Sequence, residues 1–134
     1  MATPAHAPTA YQRVQVEGAD RRHLVVLLAR ALVKFLLRAR DAIETSDFEA
    51  KAAALGRVRA VLSELGCSLD DDADRDMAQH LRALYTHWHT EIVAVDREED
   101  LEKLGYVLTC AQQLADAWQE AYESCQNHEQ QQVA

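Results

Sequence analysis

The stretch LVVLLARALVKFLL, Leu24 to Leu37, is apolar nearly all the way round a helix, with only Arg30 and Lys34 interrupting it. Leu24, Leu28, Leu32, Phe35 and Ala39 form one stripe at three- and four-residue steps, and Val25, Val26, Val33, Leu36 and Leu37 form further stripes. A helix apolar on most sides is a buried helix. The segment therefore predicts the central helix of a bundle, running from an N-cap at Asp20 to about Glu44. It cannot serve as a membrane span, because it falls short of about 20 apolar residues and carries two cations. Nor does it read as a secretory signal, since it starts far from the N-terminus and lacks a cleavage region.

The rest of the chain supports the same fold. It has 134 residues, enough for one domain with one core. Both of its prolines lie in the first eight residues, so nothing downstream of Asp20 forbids long helices. Ser46, with Glu49 three residues on, has the pattern of a capping box. It opens a second helix whose inner face is Phe48, Ala52, Leu55, Val58, Leu62 and Leu65 and whose end is Gly66. The acidic linker SLDDDAD leads into a third helix, where negative charge suits the first turn. Met77, Leu81, Leu84, Tyr85, Trp88, Ile92 and Val95 form its inner face, and it ends near Asp96. A fourth helix runs from Arg97–Asp100 to about Glu123, with Leu101, Leu104, Leu108, Ala111, Ala115, Trp118 and Tyr122 inward.

Four amphipathic helices with short connections predict an all-α, antiparallel up-down four-helix bundle with a short N-terminal segment packed on it. The expected organisation is a flexible tail and cap segment over 1–19, the bundle over 20–123 and a disordered tail over 124–134. Within the first part, Tyr11 and Val14 are distinctive anchors, because a helical core does not require them.

Several classes of chemistry find no support in the sequence. The formal net charge is −8, with no concentrated basic face, so no nucleic-acid partner is expected. Three cysteines, Cys67, Cys110 and Cys125, without a CxxC pair imply reduced thiols and a cytoplasmic protein. No Glu has a His three residues later, which argues against a di-iron bundle. His80, His87 and His89 are not matched by further ligands that would specify zinc. Cys67 lies at a helix C-terminus, where the dipole does not activate a thiol. No Gly-rich phosphate loop or nucleophile elbow occurs. The expectation is a non-enzymatic protein without cofactor or metal and without membrane insertion.

From Tyr11 to Tyr122 the chain resembles the flagellar export chaperone FliS family. The resemblance rests on Tyr11 and Val14, on LVVLLARALVKFLLRARDAIE and on SDFEAKAAALGRVRAVLSEL. Its closest part is LRALYTHWHTEIVAVDREEDLEKLGYVLTCAQQLADAWQEA, with the Leu81, Leu84, Tyr85 step and the late Trp118. Family members commonly carry Leu-Tyr-Asp-Gly where this chain has Leu28, Ala29, Arg30 and Ala31, and Asn where Asp96 stands. The resemblance implies a cytosolic chaperone for the C-terminal segment of flagellin. That segment is disordered in the monomer and wraps the chaperone, which blocks premature polymerisation. Helix-in-groove recognition wants small residues on a groove floor and aromatic anchors at its edges. Ala54, Val58, Val61, Leu84, Tyr85 and Trp88 on helices two and three are the expected client contacts, with Tyr11 and Val14 covering the groove until the client displaces them. Export-gate components are a further partner class, and the free protein is expected as a monomer or weak homodimer. The alternatives are a helical interaction module that pairs with itself, and a small metal- or ligand-binding bundle built on the His80–His89 region.

Overall fold

The computed structural model describes the backbone of residues 10–133 and the side chains of residues 21–132. Four helices make up the chain: α1 (Ala10–Glu44), α2 (Phe48–Cys67), α3 (Arg75–Glu98) and α4 (Leu101–Val133). Each packs on two neighbours, in the ring α1–α2–α3–α4–α1, and the backbones of the diagonal pairs stay apart among the described residues. Ion pairs record the antiparallel directions. Arg30 meets Asp116 at 3.0 Å and Arg22 meets Glu129 at 2.8 Å, so α4 climbs as α1 descends. Lys103 near the start of α4 meets Glu91 late in α3 at 3.6 Å. The all-α four-helix bundle expected from the sequence is the fold observed.

α1 is not the central helix that its apolar surplus predicts. In a ring of four no helix is central, and α1 leaves a face to solvent on which Leu24 is 47% and Leu27 53% exposed. The core lies on the bundle axis instead. Leu32 and Leu36 from α1, Leu55, Val58 and Leu65 from α2, Trp88, Ile92 and Val95 from α3, and Leu104 and Val107 from α4 are its fully buried large side chains. Ala29 and Ala39 of α1 and Ala111 and Ala115 of α4 are fully buried as well. Truncating a residue such as Trp88 to alanine in this core costs about 3–5 kcal/mol.

The boundaries depart from expectation at several places. α1 begins at Ala10 rather than after Asp20, so Tyr11 and Val14 lie on its backbone rather than on a separate strip. α4 continues to Val133 rather than stopping near Glu123. Ser46 is not the N-cap of α2. It ends α1 in a left-handed conformation, φ 55°. Around it the Asp47 N–H donates to Ala42 O and the Ser46 N–H to Ile43 O, the paired bonds of a Schellman ending. Asp47 caps α2 instead, its carboxylate accepting from the Ala50 N–H at 3.1 Å. Gly66 keeps a helical backbone, and α2 ends one residue later, where the Ser68 N–H donates to Glu64 O.

Three residues placed inside by periodicity are exposed: Phe48 at 64%, Met77 at 53% and Leu101 at 39%. Ala52 is exposed as well. Phe48 and Leu101 open their helices and Met77 is in the first turn of α3. At such positions a facing helix no longer covers them. Ala54, Val61, Ala78 and Val107 take up buried places that the expected faces omit.

Candidate functional site

The α2–α3 linker decides where the bundle opens. Leu69 to Asp74 cannot continue a helix through consecutive aspartates that compete for backbone N–H groups. Asp70 Oδ1 accepts from the Asp72 and Ala73 N–H groups, turning the chain, and the Asp74 carboxylate accepts from the Met77 N–H at 3.1 Å to start α3. Beside this turn α3 stands apart from the N-terminal part of α1. The gap is a cleft of about 330 Å³. Val25 of α1, Leu69 and Ala73 of the turn, Met77, Ala78, Leu81 and Tyr85 of α3 and Trp118 of α4 line it.

Its walls are mostly apolar and its mouth is charged. Arg21 spans from α1 to Asp70 at 3.2 Å, both side chains being largely exposed. On the far side Arg82 holds Asp71 through two contacts, at 3.0 and 3.4 Å. The turn is therefore tied to α1 by one arginine and to α3 by another. Deep in the cleft, burial pushes the Tyr85 phenol above its ordinary pKa, and the nearby Trp118 indole N–H pulls it partly back. The Trp118 N–H is nevertheless buried without a well-formed hydrogen bond, and the Tyr85 and Trp88 rings stand 6.0 Å apart. A second, more polar hollow of about 250 Å³ lies between α2 and α3, lined by Ser63, Gly66, Arg82, Thr86 and His89 among others. Tyr85 lines both and forms the wall between them.

The residues expected to meet a client fall into three groups. Ala54, Val58, Val61 and Trp88 are core residues in this conformation, 0–8% exposed. Tyr85 is also buried, yet it reaches both hollows, and Leu84 is half-buried against the core. Tyr11 and Val14 have their side chains outside the described residues. The sequence reading missed Arg21, Val25, Leu69 and Ala73 as neighbours of one site. It counted Met77, Leu81 and Trp118 as core alone. The signal available was the acidic turn, whose Asp70 and Asp71 pair with Arg21 and Arg82 at the mouth of the cleft.

Among the described residues no three His, Cys, Asp or Glu side chains converge as metal ligands would. His80, His87 and His89 are exposed, and the His80 ring bonds to Asp76 O of its own helix at 2.7 Å. Cys67, Cys110 and Cys125 are free thiols, Cys67 exposed and the other two half-buried. No helix among the described residues is long and apolar enough to cross a membrane.

Fold and cleft together define a four-helix bundle with an open, mostly apolar cleft. The chain belongs to the family described as "Flagellar protein FliS", whose model matches residues 4–125. It is 28% identical over 116 residues to the flagellar secretion chaperone FliS of Bacillus subtilis strain 168, covering 87% of this chain and 86% of that protein. It is 26% identical over 116 residues to the flagellar secretion chaperone FliS of Campylobacter jejuni, covering 87% and 91%. The Escherichia coli K12 protein of the same name is 25% identical over 122 residues, covering 87% and 90%. These relatives are named as chaperones, not as enzymes.

Proposed function

We propose that this protein is a cytoplasmic flagellar export chaperone that binds the disordered C-terminal segment of flagellin and prevents its polymerisation before secretion. The observation that carries this reading is the open cleft bounded by Val25, Leu69, Met77, Leu81, Tyr85 and Trp118, in a chain whose family and relatives are flagellar secretion chaperones. Apolar side chains of the client enter between Met77 and Val25 and rest on Tyr85. Trp88, its ring 6.0 Å from that of Tyr85, backs that wall, Ala54, Val58 and Val61 belong to the core of α2, and Leu84 extends the apolar surface along α3. Tyr11 and Val14 belong to the segment that the client shifts. Ordering a segment on binding buries on the order of 1,000–3,000 Å² and costs about 2–5 kcal/mol. Broad, shallow contact therefore suffices, and neither nucleotide nor metal is required.

The test is titration calorimetry against the C-terminal segment of the cognate flagellin, with circular dichroism on the mixture. Saturable one-to-one binding with a gain in helicity is expected. Met77→Glu places a charge in the cleft at a position already open to water, so the bundle keeps its stability. Its affinity falls about tenfold, or ~1.4 kcal/mol. Silence in both signals from a folded protein would remove the function and leave the fold.

A further inference from the structure

A second surface lies away from the cleft, along the outer face of α1 and the adjoining edge of α2. Leu24 and Leu27 stand largely exposed at one end of it. About two to three turns further on, Lys34 and Arg38 flank the half-buried Phe35 ring, each 5.4 Å from its centroid. Arg57 of α2 is as far past the turn at Ser46 as Phe35 is before it, so the antiparallel pairing sets the two level. Arg59, two positions on and therefore about 200° round the helix, meets Asp96 of α3 at 3.7 Å. Arg57 accordingly points away from α3, toward the α1 edge. Lys34, Arg38 and Arg57 form no ion pair among the described residues, whereas Arg21, Arg22, Arg30 and Arg82 all do. With Asp41 and the exposed Glu64, two turns on from Arg57, counted against them, three unpaired cations still outnumber two carboxylates on this face of a chain whose net charge is −8.

We infer that this face docks an acidic amphipathic helix from a partner protein, apolar at one end and carboxylate-bearing at the other. The inference is independent of the client reading, because it uses none of the cleft residues. From Leu24 to Arg38 the face is about 20 Å long at 1.5 Å per residue, the length of about four helical turns. Its two ends demand different chemistry from the occupant, leucine-sized side chains at one and carboxylates at the other. Packing both cations against Phe35 limits the side-chain entropy they lose on binding. A nucleic acid is a poorer match, since three cations beside exposed leucines release few counterions. An anionic bilayer would be repelled by the chain's net charge, and two leucines on a helix fixed in a bundle insert little area.

The probe is a lactam-stapled synthetic helix of about 15 residues with two leucines one turn apart at one end and three glutamates at the other, made in both sequence orders. Its control carries lysine for glutamate. Binding is read by fluorescence anisotropy and located by NMR shift changes on the full chain. At least one order should bind saturably, with shifts confined to the outer face of α1 over 24–38 and to α2 near Arg57. The variant Lys34→Glu/Arg38→Glu/Arg57→Glu should bind it at least tenfold more weakly and should bind the lysine control instead. If that variant loses helicity, Lys34→Gln and Arg57→Gln carry the comparison, each with a several-fold loss. The proposal is overturned by absence of binding in both orders, by equal binding of the variants, or by shifts that map to the Met77–Tyr85 cleft. Adsorption to phosphatidylglycerol vesicles, or self-association in solution, that the charge-reversed variant abolishes would also overturn it, by assigning the face to lipid or to a second copy.

Discussion

Ser46 holds its backbone at φ 55°, a conformation that costs a residue with a Cβ roughly 1–2 kcal/mol and glycine almost nothing. The Schellman bonds from Ser46 and Asp47 fix that geometry whatever side chain is present. Ser46→Gly is therefore expected to stabilise the bundle, by about 0.5–1 kcal/mol once the greater freedom of glycine in the unfolded chain is subtracted. Urea denaturation checks it, through a higher midpoint at unchanged slope. Glu99 has the same backbone, φ 54°, at the end of α3 but should respond in the opposite sense. Its carboxylate accepts from Lys51 Nζ at 3.0 Å, and that ammonium also donates to Asp96 O, an end carbonyl of α3, at 3.2 Å. Glu99→Gly relieves the backbone but removes one of the contacts joining α2 to α3, so the two substitutions at like φ angles should differ clearly in midpoint.

At the scale of elements, the clamp on the α2–α3 turn is the part whose strength can be set apart from that of the core. Arg21–Asp70 and Arg82–Asp71 are exposed pairs, each worth about 0–1 kcal/mol and weakened by salt. Arg21→Ala/Arg82→Ala should barely lower the denaturation midpoint, while amide exchange over 69–74 rises severalfold as the turn opens more often. High salt on the unaltered protein should give the same pattern, and unchanged exchange in both cases would show that the turn is held by Leu69 and by the Asp70 and Asp74 hydrogen bonds rather than by the ion pairs. The elements themselves differ in how far they can be read from the sequence. Mid-helix phase is legible, because Leu55, Val58, Leu62 and Leu65, or Trp88, Ile92 and Val95, repeat for several turns and every turn agrees. Phe48 and Leu101 are not, since an apolar residue at a helix end looks like one in the middle until the neighbour's length is known. Caps slip by a residue where two good candidates adjoin, as Ser46 and Asp47 do.

For the whole molecule, the cleft is illegible for a different reason: Val25, Leu69, Met77 and Trp118 come from four separate elements and share no periodicity. The aromatic residues Tyr85 and Trp88 read equally well as groove or as core, and only the ring arrangement, with α1 and α3 on a diagonal, makes Tyr85 a wall and Trp88 a core residue. Lys34, Arg38 and Arg57 show no basic run in the sequence either, because two helices contribute to one face.

That same assembly sets how the protein should respond to alkali. Among the groups whose pKa values lie above their ordinary ones are Tyr85, raised from 10.0 because burial disfavours its phenolate, and Lys51, raised from 10.5 by its hydrogen bond to Glu99 against an opposing effect of burial. In both cases the native state holds its proton more tightly than the unfolded chain does. Stability linked to them is thus fully present below pH 10 and declines as pH rises through the native values. Between neutrality and pH 9 neither group contributes a slope. Tyr85→Phe removes one titration while keeping the ring against Trp88, so its stability should fall less steeply above pH 10 than that of the unaltered protein. Lys51→Met should lower the midpoint at pH 7 and also flatten the alkaline limb, having lost the charge that the limb reports. Chemical denaturation at a series of pH values from 7 to 11 distinguishes these outcomes, and parallel curves for all three proteins would mean that neither group is linked to folding.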